Sequence, residues 1–264
     1  MTDTAPTGTP PALNDPFARL EGPLAGTTRM RLRVVRNESL TPAMQQVVLS
    51  TPELAGFACR PGQDIMLMVD VDGDRPVRRR YTIRAADPAQ CLLTLGIVRH
   101  EDGPGERWVR AARPGDEIEG IGPRGKIFPS PGADWHLFAG DFSALPAFFA
   151  MAGSLPAGAR ATVILEVPGP EDQQELSAAA DTSVHWLHRQ GRPAGDPSAL
   201  AGAVTSVPLP PGTGHAYLAG EARLVLALRE ALAARGLPAD RVSPKAYWGL
   251  GRANASHGEP PKEA

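Results

Sequence analysis

The heptapeptide Arg78-Arg79-Arg80-Tyr81-Thr82-Ile83-Arg84 puts guanidinium groups, a phenol and a hydroxyl on one strand-like stretch. Side chains alternate along a strand, so Arg79 and Tyr81 share a face. That set suits a flavin. An aromatic face covers the ring system, a hydroxyl or backbone donor reaches its N5 edge, and a guanidinium grips phosphate bidentately. An exposed basic strand with one half-buried tyrosine would carry the same residues.

Other segments could hold phosphate. Gly103-Pro104-Gly105, just ahead of a helical stretch, could aim backbone amides at a pyrophosphate, with His100 the nearest histidine. A surface turn reads the same way. The segment 120–128, GIGPRGKIF, pairs a glycine-rich turn with Arg124 and Lys126, as linker or ligand contact. In LFAGDFSALPAF (137–148) an apolar strand, a glycine turn and a helix with Ser143 as its expected N-cap place amides at a sheet edge, where α/β proteins bind nucleotides. Ala219-Gly220-Glu221-Ala222 repeats that geometry. Each is also an ordinary strand-to-helix turn, and this α/β region holds no GxGxxG fingerprint.

The elements that position these residues change character along the chain. Residues 1–28 are rich in Thr, Pro, Gly and Ala and read as a flexible N-terminal arm. Over residues 29–130, RMRLRVVR and MQQVVLST alternate polar and apolar side chains, and DIMLMVDV, RRYTIR, CLLTLGIVRH and DEIEGIG are further strand-like runs. Turn signals separate them, and so many short, closely spaced strands, with a single helical exception at 106–112, predict an antiparallel barrel. Over 131–250 strands alternate with helices: WHLFAG, ARATVILEV, SVHWLHR and GHAYLAG are strands. The clearest helix runs over 221–238, with Gly236 expected at its C′ position and Pro238 stopping it. That alternation predicts a parallel α/β layer. Residues 251–264 are a polar tail, and no internal repeat is present.

Composition excludes several classes. The 264 residues suit two domains at about 150 residues each. A 42% hydrophobic and 21% charged chain is globular, and a net charge of −2 gives no global attraction to nucleic acid or anionic lipid. No apolar run is long enough to span a membrane, and the first residues lack signal-peptide features, so a cytoplasmic location is expected. Cys59 and Cys91 make neither a disulfide framework nor a metal or iron–sulfur site. Only Lys126, Lys245 and Lys262 are lysines among 27 basic residues, so arginine abundance reflects composition before chemistry.

In order and spacing, RRRYTIR, RHEDGPGERW, ARPGDEIEGIGPRG, DWHLFAGDFSALPA, VHWLHR, AGEA and AYWGLGR resemble the siderophore-interacting proteins, which are FAD-dependent ferric siderophore reductases. The resemblance runs from about residue 30 to 252. It implies an antiparallel Greek-key β-barrel that binds FAD, followed by a parallel-sheet α/β domain that binds NAD(P)H, and reduction of Fe(III)-siderophores to release Fe(II). Arg79, Tyr81 and Thr82 would hold the FAD phosphate and ring, with His100, Gly103, Pro104 and Gly105 along the rest of the cofactor. Gly140, Asp141, Ser143, Ala144, Gly220 and Glu221 would line the nicotinamide-nucleotide cleft. His188 and Arg189 would meet a 2′-phosphate, which favours NADPH. Arg124, Lys126, Lys245 and Arg252 would form a basic mouth for an anionic iron chelate. No protein nucleophile and no resident metal are implied, and monomer or oligomer is open.

The chain departs from the family pattern in three places. Phe142-Ser143 stands where relatives read Glu-Thr, Gly249-Leu250 follows Tyr247-Trp248 where relatives carry basic residues, and Gly96 stands where relatives tend to be acidic. Two alternatives therefore stay open. One is a flavin oxidoreductase serving another acceptor or a partner redox protein. The other is a non-catalytic flavin-binding protein whose nicotinamide cleft is plugged by Phe142.

Overall fold

A computed structural model describes residues 27–72, 75–99 and 103–251. Six strands come first: β1 (Thr28–Thr41), β2 (Met44–Ser50), β3 (Asp64–Asp72), β4 (Arg75–Asp87), β5 (Leu92–Val98) and β6 (Glu117–Arg124). They close into a barrel in the order β1-β2-β5-β4-β3-β6, every pairing antiparallel. The step from β2 to β3 skips two positions, which is the Greek-key connection.

Alternation explains why β1 sits where it does. Met30, Leu32 and Val34 are buried inside, while Arg29 and Arg33 point out and pair with Glu119 and Glu117 of the neighbouring β6. Opposite charges on facing strands hold the register that the apolar face demands. Helix α1 (Pro104–Ala111) lies between β5 and β6 and covers the barrel with Val109, Trp108 and Ala112. It starts earlier than expected, so the Gly103–Gly105 turn is the helix's own N-terminus.

Five parallel strands follow: β7 (Trp135–Asp141), β8 (Arg160–Val167), β9 (Asp181–His188), β10 (Gly214–Glu221) and β11 (Val242–Trp248). Their order is β11-β10-β7-β8-β9. Every residue of β7 is buried, as the central strand of a covered parallel sheet must be. Helix α2 (Leu145–Gly153) covers one face and shares an apolar cluster with Met44 of the barrel. Helices α3 (Ser198–Ser206) and α4 (Ala222–Ala234) cover the other through Leu200, Val204, Leu224 and Leu228. The alanine- and glycine-rich α3 gave no periodic signal. Helix α4 ends as expected: the Gly236 amide bonds Ala233 and the Leu237 amide bonds Leu232, with Gly236 at φ +81.

One local expectation is corrected. Ser143 is not an N-cap. Asp141 takes that role, accepting the Ser143 amide at 2.9 Å and its hydroxyl at 2.5 Å, and a short 3-10 turn over Phe142–Ala144 leads into α2.

Buried polar contacts tie the two halves. The Asp172 carboxylate, after β8, accepts the Thr41 hydroxyl at 2.6 Å and the Ala43 amide at 2.9 Å. Arg84 donates to Gln174 at 2.6 Å, and Lys245 of β11 reaches Asp64 of β3 at 3.1 Å.

Candidate functional site

Strand β4 is two-faced. Tyr81 stands opposite Ile65, whose side chain lies in the barrel, and Thr82 stands opposite Asp64. On the first face the Tyr81 ring stacks on Trp108 of α1, centroids 6.1 Å apart. A β-carbon at Gly105 would lie 2.6 Å from the Tyr81 hydroxyl oxygen and 3.4 Å from Arg79 Cγ. The fold thus joins Arg79, Tyr81 and the turn that opens α1. Gly103, at φ +135, offers no side-chain cap, so the first amides of α1 are not taken by a side chain of their own cap. Glu106 in the first turn is buried but ion-paired with Arg99 and Arg110. Burial pushes the Tyr81 hydroxyl far above its ordinary range, so it is a neutral donor.

On the second face lies a charged cluster. Arg80 grips Asp64 bidentately, Nε to Oδ1 at 2.9 Å and Nη2 to Oδ2 at 2.5 Å. The Lys245 ammonium takes the same Oδ2 at 3.1 Å and stands 5.4 Å from the Tyr247 ring centroid. Burial acts to raise the Asp64 carboxyl, but Lys245 and Arg80 outweigh it and hold it below its ordinary value. Thr82 is nearly buried beside Tyr247. Lys245, expected at a basic mouth, is instead 7% exposed and ion-paired in the interface. Its burial is a tertiary effect, because β11 docks on the outer face of β3 and β4. Arg124 lies with its Nη1 3.3 Å from the Met66 sulfur, and Lys126 is exposed. His100 and Arg252 lie outside the described residues.

At the carboxyl edge of the sheet, β7 is the point where strand order reverses, with β8 on one side and β10 on the other. Ligands of open α/β sheets bind at such a point. Gly140, Asp141, Ser143, Ala144, Gly220 and Glu221 all meet there. Gly220 adopts φ +136, and a β-carbon on it would lie 2.5 Å from the Asp141 carboxylate. Asp141 accepts the Glu221 amide at 2.7 Å and the Trp248 indole N–H at 3.0 Å, besides Ser143. Glu221 caps α4 through the Arg223 and Leu224 amides and also accepts the Leu250 amide at 3.1 Å. Burial pushes the Asp141 carboxyl up despite these donors.

Phe142 does not lie open in this crevice: it is 3% exposed within the apolar cluster that includes Phe138 and Phe148. His188 contacts Gln173 at 2.8 Å through its Nε2, and the Arg189 amide bonds Val167. Next to them Arg192 reaches the buried Glu166 at 3.3 Å and the His188 carbonyl at 2.9 Å.

Known proteins match this arrangement closely. Residues 63–127 match the siderophore-interacting FAD-binding domain, and residues 133–251 match the siderophore-interacting protein family. A siderophore utilization protein from T. fusca superposes with a TM-score of 0.79 at 31% identity, covering 89% of this chain and 97% of that one. The chain belongs to the siderophore-interacting protein family. Among relatives, the ferric vibriobactin reductase of Vibrio cholerae is 34% identical over 70% of this chain and 69% of its own. The NADPH-dependent ferric-chelate reductase of Escherichia coli is 24% identical over 82% and 91%.

In this siderophore-interacting protein the FAD-binding match contains the whole of β4 and α1. The residues present fit FAD. Arg79 beside a helix start without a side-chain cap suits a diphosphate, Tyr81 offers an aromatic ring on that same face, and Thr82 offers a hydroxyl on the other. Sequence reasoning missed Asp64, Trp248, Tyr247 and Arg192. Their roles depend on contacts with residues far away in the chain; AYWGLGR carried family resemblance for Tyr247 and Trp248 but no role, and no local spacing marks Asp64 or Arg192. Among the described residues no helix is long and apolar enough to cross a membrane.

Proposed function

We propose that this siderophore-interacting protein is an FAD-dependent reductase that carries electrons from NAD(P)H to Fe(III)-siderophores and so releases Fe(II). The observation that carries the reading is the convergence of Arg79, Tyr81 and Gly105 at an N-terminus of α1 without a side-chain cap. Bound FAD supplies the chemistry that turns a two-electron hydride into single electrons for iron. Arg79 and the first amides of α1 hold the diphosphate, while Tyr81 and Thr82 orient the ring. The crevice at Gly140, Asp141, Ser143, Ala144, Gly220 and Glu221 receives the dinucleotide. His188 and Arg189, with Arg192 beside them, form a basic strand end suited to a 2′-phosphate, and the relative named as NADPH-dependent supports NADPH as donor. The barrel and sheet act as domains over 29–130 and 131–250, and the protein works in the cytoplasm.

A second reading, reduction of another acceptor, is favoured by one observation. Lys245 is spent on Asp64, which leaves Arg124, Lys126 and Arg252 of the four expected mouth cations. Anaerobic visible spectra before and after NADPH, then after a ferric siderophore, test both. Flavin bands that bleach with NADPH and return with the chelate support the proposal. Bands that return only with other acceptors support the second reading, and a protein that takes up no FAD overturns both.

A further inference from the structure

Asp64 and Lys245 stand 181 positions apart in the chain and meet with side chains 6% and 8% exposed. Asp64 is already bonded through both oxygens to Arg80, so Lys245 is a further partner on an oxygen in use. Among the described residues two cations therefore converge on one carboxylate. Backbone alone passes over the ammonium at Gly125, where a β-carbon would lie 3.6 Å from Nζ. Burying an ammonium is costly unless opposite charge meets it, and a shared carboxylate meets only part of that need. The cluster adjoins the cofactor residues: Asp64 is the cross-strand partner of Thr82, and the Tyr247 hydroxyl sits among Thr82, Asp64, Lys245 and Arg80.

A negative charge arises beside Thr82 in the reaction proposed above. A hydride carries two electrons and one proton, so the flavin that accepts it gains one negative charge and the dihydronicotinamide leaves as the oxidised cation. The charge departs when two Fe(III) chelates each take one electron to become Fe(II) and the proton returns to solvent. We propose that Lys245, positioned by Asp64, is the counter-charge for that negative charge and so sets the reduction potential of the bound flavin. This rests on the FAD reading above.

The test is the midpoint potential of bound FAD, read by spectroscopic titration with dithionite against a reference dye, which needs neither NADPH nor a siderophore. Lys245→Met is expected to lower the potential by at least tenfold in the reduced-to-oxidised ratio, about 30 mV for a two-electron couple. Lys245→Arg keeps the charge and is expected to retain the potential. Asp64→Asn removes the neutralising carboxylate and is expected to raise it. Opposite signs for the two substitutions mark charge, whereas a merely structural role moves both the same way or neither. Should Asp64→Asn fail to fold, the Met and Arg variants at 245 decide alone. A flavin-loaded wild type whose potential is unchanged in Lys245→Met overturns the inference and leaves the FAD reading standing. A wild type that takes up no FAD overturns that reading and the inference with it.

Discussion

Gly105 and Tyr81 are in contact through an absence: the missing β-carbon of Gly105 would lie 2.6 Å from the tyrosine hydroxyl oxygen. The glycine lets the start of α1 rest on β4, and that contact places amides beside Arg79. Gly105→Ala must lift the helix start or displace the ring, at about 1–3 kcal/mol for overpacking. The expected result is weakened FAD retention with the parallel sheet intact. Flavin content after gel filtration, alongside near-UV circular dichroism, checks it.

Arg79→Ala removes a charge-assisted contact to phosphate. Such bonds contribute about 1.5–3 kcal/mol, so FAD affinity should fall roughly 10- to 150-fold. Together with Tyr81→Ala, retention should be lost while the α/β half stays folded. Equilibrium dialysis of FAD reads the affinity; a double variant that keeps its flavin contradicts the assignment.

Phe142→Glu places a carboxylate in a site that is 3% exposed and apolar. Losing the ring alone costs about 3–5 kcal/mol, and an unpaired buried charge adds to that. Rather than opening a nucleotide cleft, the substitution should lower the denaturant midpoint sharply. A variant of wild-type stability would show that Phe142 can turn to solvent.

Trp248→Phe keeps the aromatic bulk and removes the indole N–H from Asp141, freeing the end of β11 from the end of β7. Losing that buried hydrogen bond should cost about 0.5–1.5 kcal/mol of stability. Because Asp141 also holds the Glu221 amide, binding of oxidised nicotinamide nucleotide at this edge should change as well. Calorimetric titration of both proteins with NADP+ measures it.

The Asp64 pairing gives stability a pH dependence of definite sign. Its folded carboxyl titrates below the ordinary 3.8, because Lys245 and Arg80 outweigh the burial that would raise it. The unfolded chain therefore binds the proton more readily. The contribution is fully present above 3.8 and is lost as pH falls through the folded value. Thermal midpoints of wild type and Asp64→Asn should converge as the pH is lowered from about 5 to about 2. Parallel curves would show that Asp64 does not titrate with folding.

The alternation of β1, the apolar run of β8 and the Gly236 stop of α4 are local patterns, and each was readable residue by residue. So was the Arg79-Tyr81-Thr82 signature, because it lies on one strand. Helix α3 was not readable, since its Ser, Ala and Gly carry no amphipathic period. Ser143 looked like a cap for its residue type, but its own amide and hydroxyl donate to Asp141, which is held in place by Glu221 and Trp248 from other strands.

The sequence by itself determined a barrel followed by a parallel sheet, and where along the chain cofactor chemistry could reside, because strand periodicity and turn chemistry act over a few residues. Only the tertiary structure decided which charges remain available. It buried Lys245 against Asp64, placed Phe142 in the core and joined Gly105 to Tyr81. These outcomes depend on how two sheets and a helix dock, and docking brings together residues that no local spacing relates.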